Sequence, residues 1–258
     1  MKKLPLRSLF CFVVISAGLL GCASSPPQPI LETKAVHEKR MVAERTAADE
    51  TIRQAAALPA KPVAGDGWKS LFDGKTQTGW RVTDFGGHGE VYCEAGTLVL
   101  GTGTALTGVV WTNELPKIDY EVTLEALRAE GSDFFCGLTF PVGDAFCSFI
   151  VGGWGGAVVG LSSIDGMDAS ENETTHYFKA DRGRWYRIRL RVTTTKIEAW
   201  IDDEKLVDLP TAGRRISLRA GEIELSKPFG LASWQTTAAL REIKMRLVNV
   251  GTIPTSGN

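Results

Sequence analysis

Tyr186-Arg-Ile-Arg-Leu-Arg-Val192 alternates apolar and basic side chains without a break. That period of two decides the fold, because it describes a strand with one face in a core and the other in water. Ile197-Glu-Ala-Trp-Ile201 repeats the pattern just downstream, and Ile118-Asp-Tyr-Glu-Val-Thr-Leu-Glu-Ala-Leu127 gives it upstream. Turn signals at Asp73-Gly74, Ala95-Gly96, Asp202-Asp203 and Ala220-Gly221 separate such stretches, and no helical period lies between them. From Trp68 onward the chain is therefore predicted to be all-β, an antiparallel β-sandwich or jelly roll.

Phe134-Phe-Cys-Gly-Leu-Thr-Phe140 and Phe146-Cys-Ser-Phe-Ile-Val151 read as two strands joined by Pro141-Val-Gly-Asp144. With Val142 and Gly143 at the turn centre, Cys136 faces Phe149 and Cys147 faces Leu138, so the thiols are diagonal neighbours on one face. Because Phe134, Leu138 and Phe149 share that face, buried free thiols behaving as small hydrophobes are favoured. A disulfide is the alternative that the spacing leaves open.

Upstream of the β pattern, Ile30 to Leu58 is rich in Glu, Lys, Arg and Ala and lacks Gly and Pro. Its large apolar residues make no sustained stripe, so it is predicted to be a solvated spacer helix. Pro59, Pro62, Gly65 and Gly67 close it off. Before it, Ala-Ser-Ser-Pro-Pro-Gln-Pro (23–29) is a proline-rich tether. At the start of the chain, Lys2, Lys3 and Arg7 precede an apolar run from Leu9 that ends in Leu19-Leu20-Gly21-Cys22. A basic start, a short apolar run and a cysteine after a small residue form the pattern of a bacterial lipoprotein signal. An uncleaved anchor helix is the alternative, but the run is shorter than the ~20 residues a bilayer needs. The expected organisation is a signal peptide (1–21), a tether and spacer (22–65) and a β-sandwich (66–250). Lipidation of Cys22 would place the protein in the bacterial cell envelope, periplasm-facing or surface-exposed, with the membrane as a partner. Lysine and arginine (29) nearly balance aspartate and glutamate (30) for a net charge of -1, which argues against a nucleic-acid partner.

Gly67-Trp68-Lys-Ser-Leu-Phe-Asp-Gly-Lys75 followed by Gly79-Trp80 resembles the opening of the 3-keto-disaccharide hydrolase family. Glu94-Ala-Gly-Thr-Leu98, Gly183-Arg-Trp-Tyr-Arg-Ile188 with Ile197-Glu-Ala-Trp-Ile-Asp202, and Leu240-Arg-Glu-Ile243 resemble later strands of that family in order. The resemblance implies a concanavalin-like sandwich that acts on glycosides oxidised at C3. There, a base removes the acidified C2 proton and the glycosidic oxygen leaves C1 by elimination, before water adds. Two stretches depart from the family's pattern. Ala232-Ser-Trp-Gln-Thr-Thr237 stands where many members carry an Asp-His pair, and Ser132-Asp-Phe-Phe-Cys-Gly-Leu-Thr-Phe140 lacks the arginine that ends their mid-domain stretch. A non-catalytic, laminin-G-like module binding carbohydrate or a surface is thus the alternative.

Candidate site residues cluster in the longest polar segment. Gly152-Gly-Trp-Gly-Gly156 would expose Trp154 to a sugar ring, and Ser162 to Thr175 packs carboxylate, amide and hydroxyl oxygens closely ahead of His176. His176 and Glu171 are the candidate acid-base residues, with Asp133 brought in from mid-domain. Trp154, Trp234 and Gln235 are the candidate substrate-binding residues. Asp165, Asp168 and Glu173, with Glu171, offer oxygen ligands for a divalent cation such as calcium or magnesium. Ordinary turn chemistry in a solvated loop explains the same residues. Trp68, Trp80, Trp185 and Trp200 sit inside alternating patterns, so packing explains them better than sugar stacking.

Overall fold

The alternation at Tyr186–Val192 is realised directly: Tyr186, Ile188, Leu190 and Val192 are buried in the core while Arg187, Arg189 and Arg191 point away from it. The computed structural model describes residues 34–248, so the signal peptide, Cys22 and the tether lie outside the described residues. One helix, α1 (Lys34–Ala56), precedes the strands. They begin with β1 (Lys69–Ser70), β2 (Trp80–Val82), β3 (Val91–Glu94), β4 (Thr97–Leu100) and β5 (Leu106–Trp111). The middle of the chain gives β6 (Tyr120–Gly131), β7 (Cys136–Val142), β8 (Ala145–Gly153), β9 (Val158–Ser162) and β10 (His176–Tyr177). The last are β11 (Trp185–Val192), β12 (Lys196–Ile201), β13 (Glu204–Pro210), β14 (Gly230–Trp234) and β15 (Thr236–Leu247).

These strands form two antiparallel sheets packed face to face. The first runs β13-β12-β11-β6-β15-β4-β3, with β1 added to β15, and the second runs β10-β9-β8-β7-β14-β5-β2. Between them lie the inward side chains of both, among them Tyr120, Leu124, Phe140, Phe149, Ile188 and Leu240. Trp80 packs edge-on against Trp111 with ring centroids 5.1 Å apart and donates from Nε1 to the Leu71 carbonyl at 2.8 Å. Asp73 accepts from the Lys75 and Thr76 amides at 2.8 and 2.7 Å, and these backbone donors hold its carboxyl down at about 2. The Leu71–Lys75 motif is therefore a turn stapled to the core.

The hairpin between β7 and β8 corrects the expected register. It turns at Gly143-Asp144, with Val142 paired to Ala145 and Gly143 at φ +62°, the conformation a two-residue loop wants at its first central position. Cys136 consequently lies opposite Val151, and Cys147 opposite Phe140. The thiols share the core face but sit well apart along the hairpin, and both are free.

The solvated spacer helix is also corrected. Ala48, Ile52 and Ala55 fall on one face of α1 at helical spacing and are buried against Val99, Leu127, Ala129, Trp185 and Ala239 on the outer face of the first sheet. Trp185 Nε1 donates to the Ala55 carbonyl at 2.9 Å, and Tyr92 donates to Asp49 at 2.6 Å. The segment after the helix is a strap rather than a free linker. Arg241 donates to the Leu58 carbonyl, the Lys61 amide donates to Glu125, and Arg187 donates to the Pro62 carbonyl, at 3.0, 2.9 and 2.9 Å.

Beneath that strap the outward charges are not simply solvated. Glu121 is fully buried, accepting from Arg246 at 2.8 Å and from Arg191 at 3.4 Å, with Arg189 3.6 Å away. Guanidiniums lie over the indoles of Trp200 (Arg189, 3.9 Å), Trp185 (Arg241, 4.1 Å) and Trp68 (Arg246, 4.3 Å). Three of the four tryptophans predicted to pack thus do so on the outer face of the first sheet, under arginines.

Candidate functional site

The outer face of the second sheet is hollow because its residues are small. Gly137, Gly160 and Ala232 occupy outward positions at its centre, in register with Ile150 and with each other. A Cβ at Gly137 would lie 3.0 Å from the Phe134 ring, and one at Gly160 would lie 2.9 Å from the Thr174 carbonyl. Those glycines let Phe134 and the 163–175 loop lie directly on the sheet. A short helical turn, Glu222–Ser226, closes the opposite side.

Between these coverings opens a cavity of about 420 Å³. Its floor is Ser148, Ile150 and Ser162, and its walls include Phe134, Ile223 and Leu106. Trp154 stands at one rim and Trp234 at the other, 41% and 37% exposed. Asp133, Arg219 and Glu222 supply its charges.

Most of these polar groups are already engaged. Asp133 accepts from the Phe134 amide at 2.7 Å and from the Gly155 amide at 2.9 Å, so it pins the loop that carries Trp154. Ser148 hydrogen-bonds Thr139 at 2.8 Å, and Ser162 donates to Asp168 at 2.9 Å. Glu222 accepts from the Gly86 amide at 3.0 Å through one carboxylate oxygen. Arg219 faces Asp168 at 3.4 Å and the Trp154 ring at 6.0 Å, and its guanidinium remains largely exposed.

Of the residues expected from sequence, the structure brings together Asp133, Trp154 and Trp234. Gln235 is excluded: it sits at φ +44° in the bend between β14 and β15, and its side chain donates to the Thr104 carbonyl at 2.8 Å. His176 lies on β10 opposite Val159, on the core side of the sheet edge, away from the cavity. Glu171 is exposed on the 163–175 loop and does not line this cavity. That loop is held by Asn172, which donates to the Leu161 carbonyl at 2.7 Å and accepts from the Thr174 amide at 2.9 Å.

Three of the four carboxylates of the expected cation site, Asp165, Asp168 and Glu173, are paired with arginines. Asp165 accepts from the Arg215 amide and from the Arg214 guanidinium, which together hold its carboxyl below the usual range. Glu173 pairs with the same Arg214, and Asp168 takes Ser162, Ser163 and Arg219. Among the described residues no group of three or more His, Cys, Asp and Glu side chains is arranged to hold a metal ion.

Arg219, Glu222 and Ile223 went unforeseen. They come from a stretch where Ala220-Gly221 reads as a turn between strands, and neither period singles it out.

Residues 67–246 match the 3-keto-α-glucoside-1,2-lyase-like domain family. The chain belongs to that family. Its members' name places this sandwich among carbohydrate-active domains, and the match runs from before β1 into β15. No curated protein matches the chain in sequence. Solved structures with a similar arrangement include a protein of Parabacteroides distasonis assigned as a glycosyl hydrolase, at 13% identity and TM-score 0.46, covering 71% of this chain and 94% of that one. Another is the carbohydrate-binding module CBM66 of Bacillus subtilis, at 12% identity and TM-score 0.43, covering 65% and 95%.

Proposed function

We propose that this domain takes a 3-keto-glycoside into the cavity between Trp154 and Trp234 and eliminates the group attached at C1. The observation that carries the reading is the cavity itself: a sugar-sized hollow with an indole at each rim and one largely exposed guanidinium, in a chain that matches the lyase-like family throughout its folded domain. A C3 ketone acidifies the C2 proton. Glu222, with one carboxylate oxygen unengaged, takes that proton, and the electron pair passes toward the C3 oxygen as an enolate. Arg219 stabilises the developing negative charge on that oxygen. The enolate then collapses to form the C1–C2 double bond and expels the glycosidic oxygen, which takes the proton from Glu222 as it leaves, and water adds to the unsaturated sugar. Asp133 acts by position, since both its oxygens accept backbone amides and fix the Trp154 loop.

The engagement of Asp133, Ser148 and Ser162 within the protein favours the second reading, a sugar-binding module without turnover. Incubating the full-length protein with a 3-keto-glucoside and following aglycone release separates the two. The lyase reading expects release that falls about 100-fold or more in Arg219→Ala and Glu222→Gln, with thermal unfolding unchanged. Equal release by parent and variants contradicts these roles, and sugar binding without release assigns the binding module. Lipidation of Cys22 and a place in the cell envelope belong to the same proposal.

A further inference from the structure

The cavity is not uniform from one rim to the other. Charged groups gather by Trp154, where Arg219 lies 6.0 Å from the ring and Asp133 accepts from the Gly155 amide at 2.9 Å. The Trp234 end is apolar. Trp234 pairs there with Leu106 on the neighbouring strand, which puts both side chains on the outer face of the second sheet. Phe85, Leu106 and Ala232 form a small hydrophobic cluster distinct from the core between the sheets, and Phe134 and Ile223 pack against it. The backbone at this end is engaged as well. The Trp234 amide donates to the Phe134 carbonyl at 3.0 Å, and the Gln235 amide donates to the Ala105 carbonyl at 2.9 Å. Among the described residues that line this end, polar side-chain atoms come from Glu222 and the Trp234 indole N–H alone.

A group placed here meets apolar surface and an indole, and few partners for hydroxyls. A second pyranose brings several hydroxyls, each costly to bury without a hydrogen bond. An aromatic ring stacks on the indole without that cost. Resting on the function proposed above, we infer that the group attached at C1 is an aromatic aglycone rather than a second sugar. The oxidised ring takes the end beside Arg219, and the aglycone lies against Trp234, Leu106 and Ile223. Glu222 directly precedes Ile223 in the chain, so the carboxyl that serves the leaving oxygen adjoins the wall that holds the aglycone.

Calorimetric titration of the full-length protein with methyl, phenyl and naphthyl α-glucosides and with maltose tests this. Each carries a C3 hydroxyl in place of the ketone and binds without reacting, so leaving-group ability plays no part. The aryl glucosides are expected to bind at least about tenfold more tightly than maltose, and maltose no more tightly than the methyl glucoside. Ile223→Ser and Trp234→Ala are each expected to bring the aryl and methyl affinities to within about twofold of one another. Where Ile223→Ser weakens the fold, Trp234→Ala, at a partly exposed position, gives the same readout. Maltose bound as tightly as the aryl glucosides, an aryl advantage that survives both variants, or no binding by either aryl glucoside overturns the inference. Aglycone release from a 3-keto-glucoside, followed in parallel, reports on elimination itself. Release without an aryl preference leaves the cavity reading intact, and an aryl preference without release overturns elimination alone.

Discussion

Burial pushes the thiols of Cys136 and Cys147 up to about 12 each, and neither is in a disulfide. Unfolded cysteine titrates near ~8.5. For an acid the raised value means that folding favours the neutral thiol, so this stabilisation is complete below ~8.5 and is lost as pH rises toward about 12. Thiol-reactive reagent at mild alkaline pH should modify Cys93 first, and Cys136 and Cys147 only on unfolding. The alkaline decline in the urea midpoint should flatten in Cys147→Ala. Rapid native labelling of all three would show that the sheets do not enclose them. The sequence made the shared face and the free thiols legible, because period two assigns faces without knowing the turn. It missed the register, which rests on Gly143 taking the first central position of the loop and so on one backbone angle.

At the scale of elements, α1 and its strap were the least legible. The absence of Gly and Pro marks a helix, but its buried face consists of Ala48, Ile52 and Ala55, and alanines make no visible hydrophobic stripe. The matching surface is equally discreet, since Ala129 and Ala239 are small enough to let a helix approach the sheet. Ile52→Ala should lower stability by about 2–5 kcal/mol, the cost of emptying a buried aliphatic position. A fragment beginning at residue 66 should unfold at lower temperature than the full chain and bind hydrophobic dye, because Trp185, Val99 and Leu127 lose their cover. Equal unfolding temperatures for fragment and full chain would show that the helix is an independent spacer after all. The strap adds charged anchoring: it supplies the Lys61 amide to Glu125, a buried carboxylate that Arg241 also meets.

For the whole molecule, alternation predicted the two-sheet sandwich, and the Leu71–Lys75 motif identified the family. Of the residues that line the cavity, the sequence singled out only the exposed aromatics Trp154 and Trp234 and the carboxylate Asp133. His176, Glu171 and the acidic residues drew attention because oxygen donors crowd their segment, and part of that crowding, around Asn172 and Thr174, is the hydrogen bonding that folds the 163–175 loop down onto Gly160. Arg219 and Glu222 reach the cavity from a segment far along the chain that covers the sheet without joining it. Only the three-dimensional course of residues 211–226 brings them there. In the function proposed above, glycoside chemistry belongs to the outer face of the second sheet and not to that loop. A crystal structure of the full-length protein soaked with a 3-keto-glucoside tests it most directly. The oxidised ring is expected between Trp154 and Trp234, with its C3 oxygen within hydrogen-bonding distance of Arg219. A sugar held beside His176 and Glu171, with the cavity empty, would contradict it.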